Sequence, residues 1–137
     1  MLVSVAAEQF RARVDDVLAG FELNTREYAV LSLLADAGVP LPQGTIARQL
    51  HMDRSTVMRT LDSLGIKELI AREPDLFDRR SNIAALTAAG RGTLHGADMQ
   101  LDAAEHEVFS WLSPEQYRHL LRSLNMLMSG IVATAGD

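Results

Sequence analysis

A chain of 137 residues is the size of one ordinary domain, and an apolar fraction of 47% against 23% charged residues excludes disorder along its whole length. A formal net charge of −5 argues against general polyanion binding. The absence of cysteine excludes disulfides, thiolate nucleophiles, CxxC zinc sites and thiol redox sensing, and fits a cytoplasmic location.

The first element is a helix over about residues 4–20, with Val5, Phe10, Val14 and Leu18 on one side and Gly20 as its end. Thr25 then reads as the N-cap of a second helix, in which Tyr28, Leu31, Leu34 and Ala35 follow at helical spacing. Gly38-Val39-Pro40-Leu41-Pro42 breaks it, and both prolines hold the preceding residue extended, which suits a linker or a minimal strand. A short helix over about 43–50 and a second over about 54–66, capped by Asp53, make a helix-turn-helix pattern. In the latter, Val57, Leu61 and Leu64 form the inward stripe, while Arg54, Ser55, Met58, Arg59 and Asp62 fall outside it.

The period then shortens. Leu69–Glu73 and Ser81–Leu86 suit two strands, and Pro74-Asp75-Leu76-Phe77-Asp78-Arg79-Arg80 between them is rich in turn formers and charge. A hairpin directly after a helix-turn-helix is a wing. Thr87 caps a helix over about 88–110. Ser113-Pro114-Glu115-Gln116 is a capping box with proline at its first helical position, and opens a last helix to about 133.

Charge is divided along the chain. Residues 42–92 carry eight basic and six acidic side chains, and the remainder carries five basic and twelve acidic ones. The middle segment is therefore the part suited to approach a phosphate backbone. The four histidines, His51, His95, His106 and His119, stand in no metal-binding spacing, and neither a nucleophile elbow nor a P-loop is present. An enzyme is not expected, nor is a metal or cofactor. No apolar run reaches the roughly 20 residues that span a bilayer, so no membrane partner is expected.

Leu50-His51-Met52-Asp53-Arg54-Ser55-Thr56-Val57 resembles the start of the recognition helix in MarR-type winged-helix transcription regulators. Asp78-Arg79-Arg80, followed by Ala85-Leu86-Thr87-Ala88-Ala89-Gly90, resembles that family's wing, and Ser113-Pro114-Glu115-Gln116 resembles the start of its final helix. The resemblance covers nearly the whole chain. It implies a mainly α protein with a small β-wing: one MarR-like domain over 1–137, with a winged helix-turn-helix over about 25–90 and helical dimerisation regions over about 1–20 and 91–137. It also implies a homodimeric repressor of transcription on pseudo-palindromic double-stranded DNA, with an affinity modulated by a small-molecule effector. Two departures stand out: Glu68 occupies the usual glycine position before the wing, and Leu76-Phe77 occupies a tip that is commonly polar.

On this reading Arg54, Ser55, Thr56 and Arg59 meet the major groove, where the N-terminal residues of such a helix reach base edges. Thr56 can alternatively serve as a capping group, and Arg59 can pair with Asp62 at i+3. Arg79 and Arg80 anchor the wing tip, one of them in a minor groove. Asp78 stabilises the wing through an ion pair that the family assigns to Arg80. Leu120, Leu124, Leu127 and Ile131 suit either a monomer core or, as the family implies, a dimer interface. Phe10, Arg13, Phe21, Tyr28, Met58 and Met99 can line a cavity, but no ligand residue is assigned. The alternative function is a winged-helix protein-interaction module without DNA binding.

Overall fold

Four helices start where a side chain, of Asn24, Asp53, Thr87 or Ser113, accepts an unsatisfied N–H of the first turn. The computed structural model describes residues 1–78 and 80–135, apart from the side chains of residues 132–135. Within them lie α1 (Leu2–Ala19), α2 (Thr25–Ala37), β1 (Leu41–Pro42), α3 (Gln43–Gln49), α4 (Arg54–Ile66), β2 (Ile70–Pro74), β3 (Asn82–Leu86), α5 (Ala88–Phe109) and α6 (Pro114–Ala135). The mainly helical architecture with a small wing is as expected. Among the described residues no helix is long and apolar enough to cross a membrane.

The cap of α2 is one residue earlier than the sequence suggests. Asn24, not Thr25, accepts from the Glu27 N–H at 2.9 Å, and the Glu27 carboxylate accepts from the Asn24 N–H at 2.9 Å. This reciprocal pair satisfies two donors at once. Thr25 instead donates its hydroxyl proton to Asp15, at 3.0 Å. Gly38 closes the helix in the left-handed conformation that glycine adopts without steric cost (φ 66°).

The three strands form an antiparallel sheet in the order β1-β3-β2. Ile70 faces Leu86 and Pro74 faces Asn82 in the β2–β3 ladder, while Leu41 faces Ala84 in the β1–β3 pair. Pro74 thus sits at the end of an edge strand, where its missing N–H does not interrupt the ladder.

Residues 1–102 form one compact unit and residues 103–137 another. The first has its own core, in which Leu18, Val30, Leu31, Ile46, Val57, Leu61, Leu64, Ile70 and Leu94 are buried. Of the inward positions expected from spacing, Val5 and Ala35 are exposed, whereas Val30, absent from the expected stripe, is buried. In the second unit, the Ser113 hydroxyl accepts from the Gln116 N–H at 3.2 Å and Gln116 Oε1 accepts from the Ser113 N–H at 2.8 Å. Tyr117 donates to Glu105, and its ring lies 5.4 Å from that of Phe109.

One polar side chain is buried deep in the first unit. Glu27 is 2% exposed. Its carboxylate accepts from Lys67 Nζ at 2.8 and 3.0 Å and from Ser63 Oγ at 2.6 Å, in addition to Asn24. Lys67 Nζ also donates to the Glu22 carbonyl at 2.5 Å. Burial pushes the Glu27 carboxyl up, but the hydrogen bonds from Lys67, Ser63 and the Asn24 backbone outweigh it and leave the group below its ordinary value.

The consequence for stability has a definite sign. Ionised Glu27 stabilises the fold above its unfolded pKa, and this contribution is lost as pH falls through the lower folded value. Lys67→Met leaves the carboxylate buried without its cation, which raises its pKa relative to the wild type. The variant should be about 2–3 kcal/mol less stable than the wild type near neutral pH, with the gap narrowing toward pH 5 as Glu27 protonates. Urea denaturation at the two pH values checks this; a pH-independent gap would contradict it.

Candidate nucleic-acid interface

The helix-turn-helix is closed by a strained turn and a dense cap. His51 links α3 to α4 with a left-handed backbone (φ 52°), which histidine adopts more readily than branched residues. Asp53 then caps α4. Its Oδ1 accepts from the Thr56 N–H at 2.7 Å and from Ser55 Oγ at 2.9 Å, while Oδ2 accepts from Thr56 Oγ1 at 2.9 Å. The Thr56 N–H, then the Thr56 and Ser55 hydroxyls, hold the Asp53 carboxyl below its ordinary value. Both readings of Thr56 therefore meet in one geometry: it completes the cap and stands at the exposed start of α4.

This cap has a chemical consequence. A hydroxyl carries one proton, and those of Ser55 and Thr56 are both given to Asp53. In this arrangement the two oxygens are left with lone pairs to accept. They match exocyclic amino groups on base edges better than carbonyl oxygens.

Val57, Leu61 and Leu64 hold α4 to the core, and Arg54, Ser55, Met58 and Arg59 lie on its exposed side. Asp62, the acid one turn beyond Arg59, is engaged elsewhere: Arg72 of β2 donates to it. Arg59 thus makes no ion pair among the described residues, and neither does Arg54. The Arg72–Asp62 contact also ties α4 to the first wing strand, a link that strand-by-strand reading of the sequence does not show.

The wing is fixed at its base and at its tip. At the base, Glu68 is left-handed (φ 58°), a conformation that explains why glycine suits this position. Thr87 Oγ1 donates to the Glu68 carbonyl at 2.8 Å and accepts from the Gly90 N–H at 2.9 Å, and the Thr87 N–H donates to the Leu69 carbonyl at 3.2 Å. A Cβ on Gly90 would stand 2.0 Å from that same Leu69 oxygen. The Leu-Thr-x-x-Gly run is therefore a packing motif that seats α5 on the entry to β2.

At the tip, Asp75 accepts from the Phe77 N–H at 2.9 Å and Asp78 accepts from the Arg80 N–H at 3.0 Å. Two turn bonds close the loop as well, from Asp75 N–H to the Ser81 carbonyl and from Ser81 N–H to the Asp78 carbonyl, each at 3.0 Å. In place of the expected ion pair with the Arg80 guanidinium, Asp78 holds the Arg80 backbone and leaves its side chain exposed. Arg79, the other wing arginine, lies outside the described residues.

The remaining expected site residues lie on α6. Leu120 is half-buried, whereas Leu124, Leu127 and Ile131 are 44%, 60% and 59% exposed. Of the residues considered for a cavity, Met58 and Met99 are exposed, and Tyr28 donates its hydroxyl to Asp98 at 2.7 Å. Burial, then the Asp98 carboxylate, push that phenol above its ordinary value.

Residues 23–81 match the sequence pattern of the MarR family. The fold is similar to that of a MarR-family transcriptional regulator from Rhodococcus sp. RHA1, at 25% identity and a TM-score of 0.79 over 92% of this chain and 89% of that one. It is also similar to a MarR-family transcriptional regulator from Silicibacter pomeroyi (28% identity, TM-score 0.71, 95% of this chain and 87% of that one). CouR from Rhodococcus jostii RHA1, solved bound to p-coumaroyl-CoA, aligns at 25% identity and a TM-score of 0.74 over 92% of this chain and 88% of that one.

Replacing Asp53 by alanine removes three hydrogen bonds from the start of α4. Asp53→Ala should lower the melting temperature and speed amide hydrogen exchange at residues 55–57 more than at residues 61–64. Uniform exchange along α4 would show that the cap does not order its first turn.

Proposed function

The chain belongs to the MarR family of transcriptional regulators, and from that premise we propose that it is a homodimeric repressor that reads double-stranded DNA with α4 and the wing. One observation carries the reading: Arg59 stands on the exposed side of α4 outside any ion pair among the described residues, while Arg72 pairs with Asp62. A guanidinium so placed can take guanine O6 and N7 with two parallel hydrogen bonds. Arg54 at the first turn, with the acceptor oxygens of Ser55 and Thr56, completes the base-reading end of the helix. Arg79 and Arg80 anchor the wing on the backbone or in the minor groove, and Asp78 shapes the tip that carries them.

Association through α6 gives the two-fold arrangement that a pseudo-palindromic operator requires. Leu120, Leu124, Leu127 and Ile131 are the residues proposed to form that contact. Support comes from the exposure of the last three, an apolar surface unsuited to water along a whole helix face. The CouR structure holds an acyl-CoA thioester, and this supports modulation of the present protein by a small organic effector.

The division of labour between helix and wing is testable by fluorescence anisotropy on duplexes enriched from a random library. Arg59→Ala should weaken binding about 5- to 100-fold at its cognate base pair and relax preference there, with little effect on non-specific duplex. Arg80→Ala should weaken all duplexes alike and reduce the salt slope by about 1. Equal losses on every sequence for both variants would contradict the assignment.

The proposed interface is tested separately. Leu124→Glu with Leu127→Glu should convert the protein to monomer in sedimentation equilibrium and remove cooperative binding to paired half-sites. A monomeric wild type would refute the interface.

A further inference from the structure

The wing tip carries a feature that phosphate anchoring does not use. Leu76 is 92% exposed and Phe77 is 99% exposed, side by side at the turn of the hairpin. Large apolar side chains are rarely left bare in pairs on a loop without a contact to make. The Phe77 N–H is held by Asp75 and the Arg80 N–H by Asp78, and two backbone turn bonds within residues 75–81 close the loop.

We propose that Leu76 and Phe77 form an apolar wedge that enters the DNA minor groove beside Arg80 and partly unstacks one base step. The proposal rests on the DNA-binding reading given above and extends it from electrostatic anchoring to deformation of the duplex. Three considerations favour DNA as the occupant. Arg80, exposed and three residues from Phe77 on the same tip, supplies the positive charge that draws this loop to a phosphate-lined groove. The wing is continuous with the helix-turn-helix, since Arg72 of β2 is bonded to Asp62 of α4, so whatever seats α4 also brings the tip to the duplex. The patch is also small: a phenylalanine and a leucine cover roughly 150–250 Å² each at most, well short of the roughly 800 Å² that each partner contributes to a stable protein interface. Two apolar side chains do suffice to wedge a base step, and phenylalanine and leucine are among the residues that do so.

The wedge also predicts sequence preference at a place that α4 does not touch. Pyrimidine–purine steps unstack most easily, so the flank under the tip should favour TA or CA steps.

The test uses the full-length protein and duplexes that it enriches from a random library, with 2-aminopurine replacing each flanking adenine in turn. Binding is followed by anisotropy and unstacking by 2-aminopurine emission. The wild type should raise emission several-fold at one flanking step. L76A/F77A, whose changes lie on solvent-exposed side chains, should bind about 10-fold more weakly with no rise in emission and an unchanged salt slope. Wild-type binding without a rise at any adenine overturns the wedge and leaves the DNA-binding reading intact. So does a double variant that binds and unstacks like the wild type. If the wild type enriches no duplex, the DNA-binding reading fails and the wedge fails with it. Association beyond the dimer in sedimentation, abolished by L76A/F77A, would assign the tip to protein contact and overturn the wedge as well.

Discussion

The contact between buried Glu27 and Lys67 fixes α4 against α2. Glu27 lies in the first turn of α2, where unsatisfied N–H groups make the helix end positive, and Lys67 is the C-cap of α4, where carbonyls make it negative. Each charge therefore suits the helix end it occupies, and their pairing joins the two ends. Ser63, one turn before Lys67, adds a second tie from α4 to the same carboxylate. With Glu27 at 2% exposure, the carboxylate has no water to fall back on, so rotation or sliding of α4 relative to α2 would strand a buried charge. The apolar core of Val57, Leu61 and Leu64 gives α4 its adhesion, and the polar contact gives it a register.

That register passes directly to the wing. Lys67 is followed by Glu68, whose left-handed backbone turns the chain from α4 into β2, and the carbonyls of Glu68 and Leu69 both accept from Thr87 at the end of β3. The close approach of Gly90 to Leu69 seats α5 on the same junction. One short run, residues 67–69, thus links α4, both wing strands and the long helix α5. A displacement at the start of α5 has a continuous bonded route to α4 and to the wing base. Tyr28, bonded to Asp98 further along α5, makes a second route through α2.

Much of this architecture was legible in the residues. The bounds of α4, the cap by Asp53, the hairpin and the capping box of α6 follow from local rules in which a side chain acts on its own backbone neighbours. The Glu27–Lys67 contact was not legible, because it joins residues 40 apart and no spacing rule reaches that far. Its one local trace is Asn24-x-x-Glu27, a capping box that competes with the equally plausible Thr25. Arg72 escaped for the same reason: Asp62 has a nearer basic neighbour in Arg59, and only the tertiary approach of β2 to α4 decides between them. At Glu68 the sequence showed a missing glycine, and the structure gives the reason that glycine suits the site. At the tip, Asp78 followed by two arginines reads as an ion pair, and the structure adds a bond from the Arg80 N–H to its carboxylate that no pairing rule supplies.

The same accounting of acids bears on how a chain with net charge −5 can approach DNA. Of the six acids between residues 42 and 92, four are engaged as acceptors: Asp53 by Ser55 and Thr56, Asp62 by Arg72, Asp75 by the Phe77 N–H and Asp78 by the Arg80 N–H. Their oxygens shape the helix cap, the strand contact and the tip, and each negative charge is held against donors of the fold. Arg54, Arg59 and Arg80 are left on the outside. Opposite charges a few ångströms apart cancel at long range, yet they remain distinct at contact distance, where screening by salt is incomplete. A surface of this kind gains little from indiscriminate attraction to any polyanion. On the proposed reading its affinity must come from close fit, with guanidiniums, acceptor hydroxyls and the apolar tip each meeting its own feature of the groove. The acidic remainder of the chain then works against non-specific binding and leaves the specific complex, whose contacts are short-ranged, comparatively untouched.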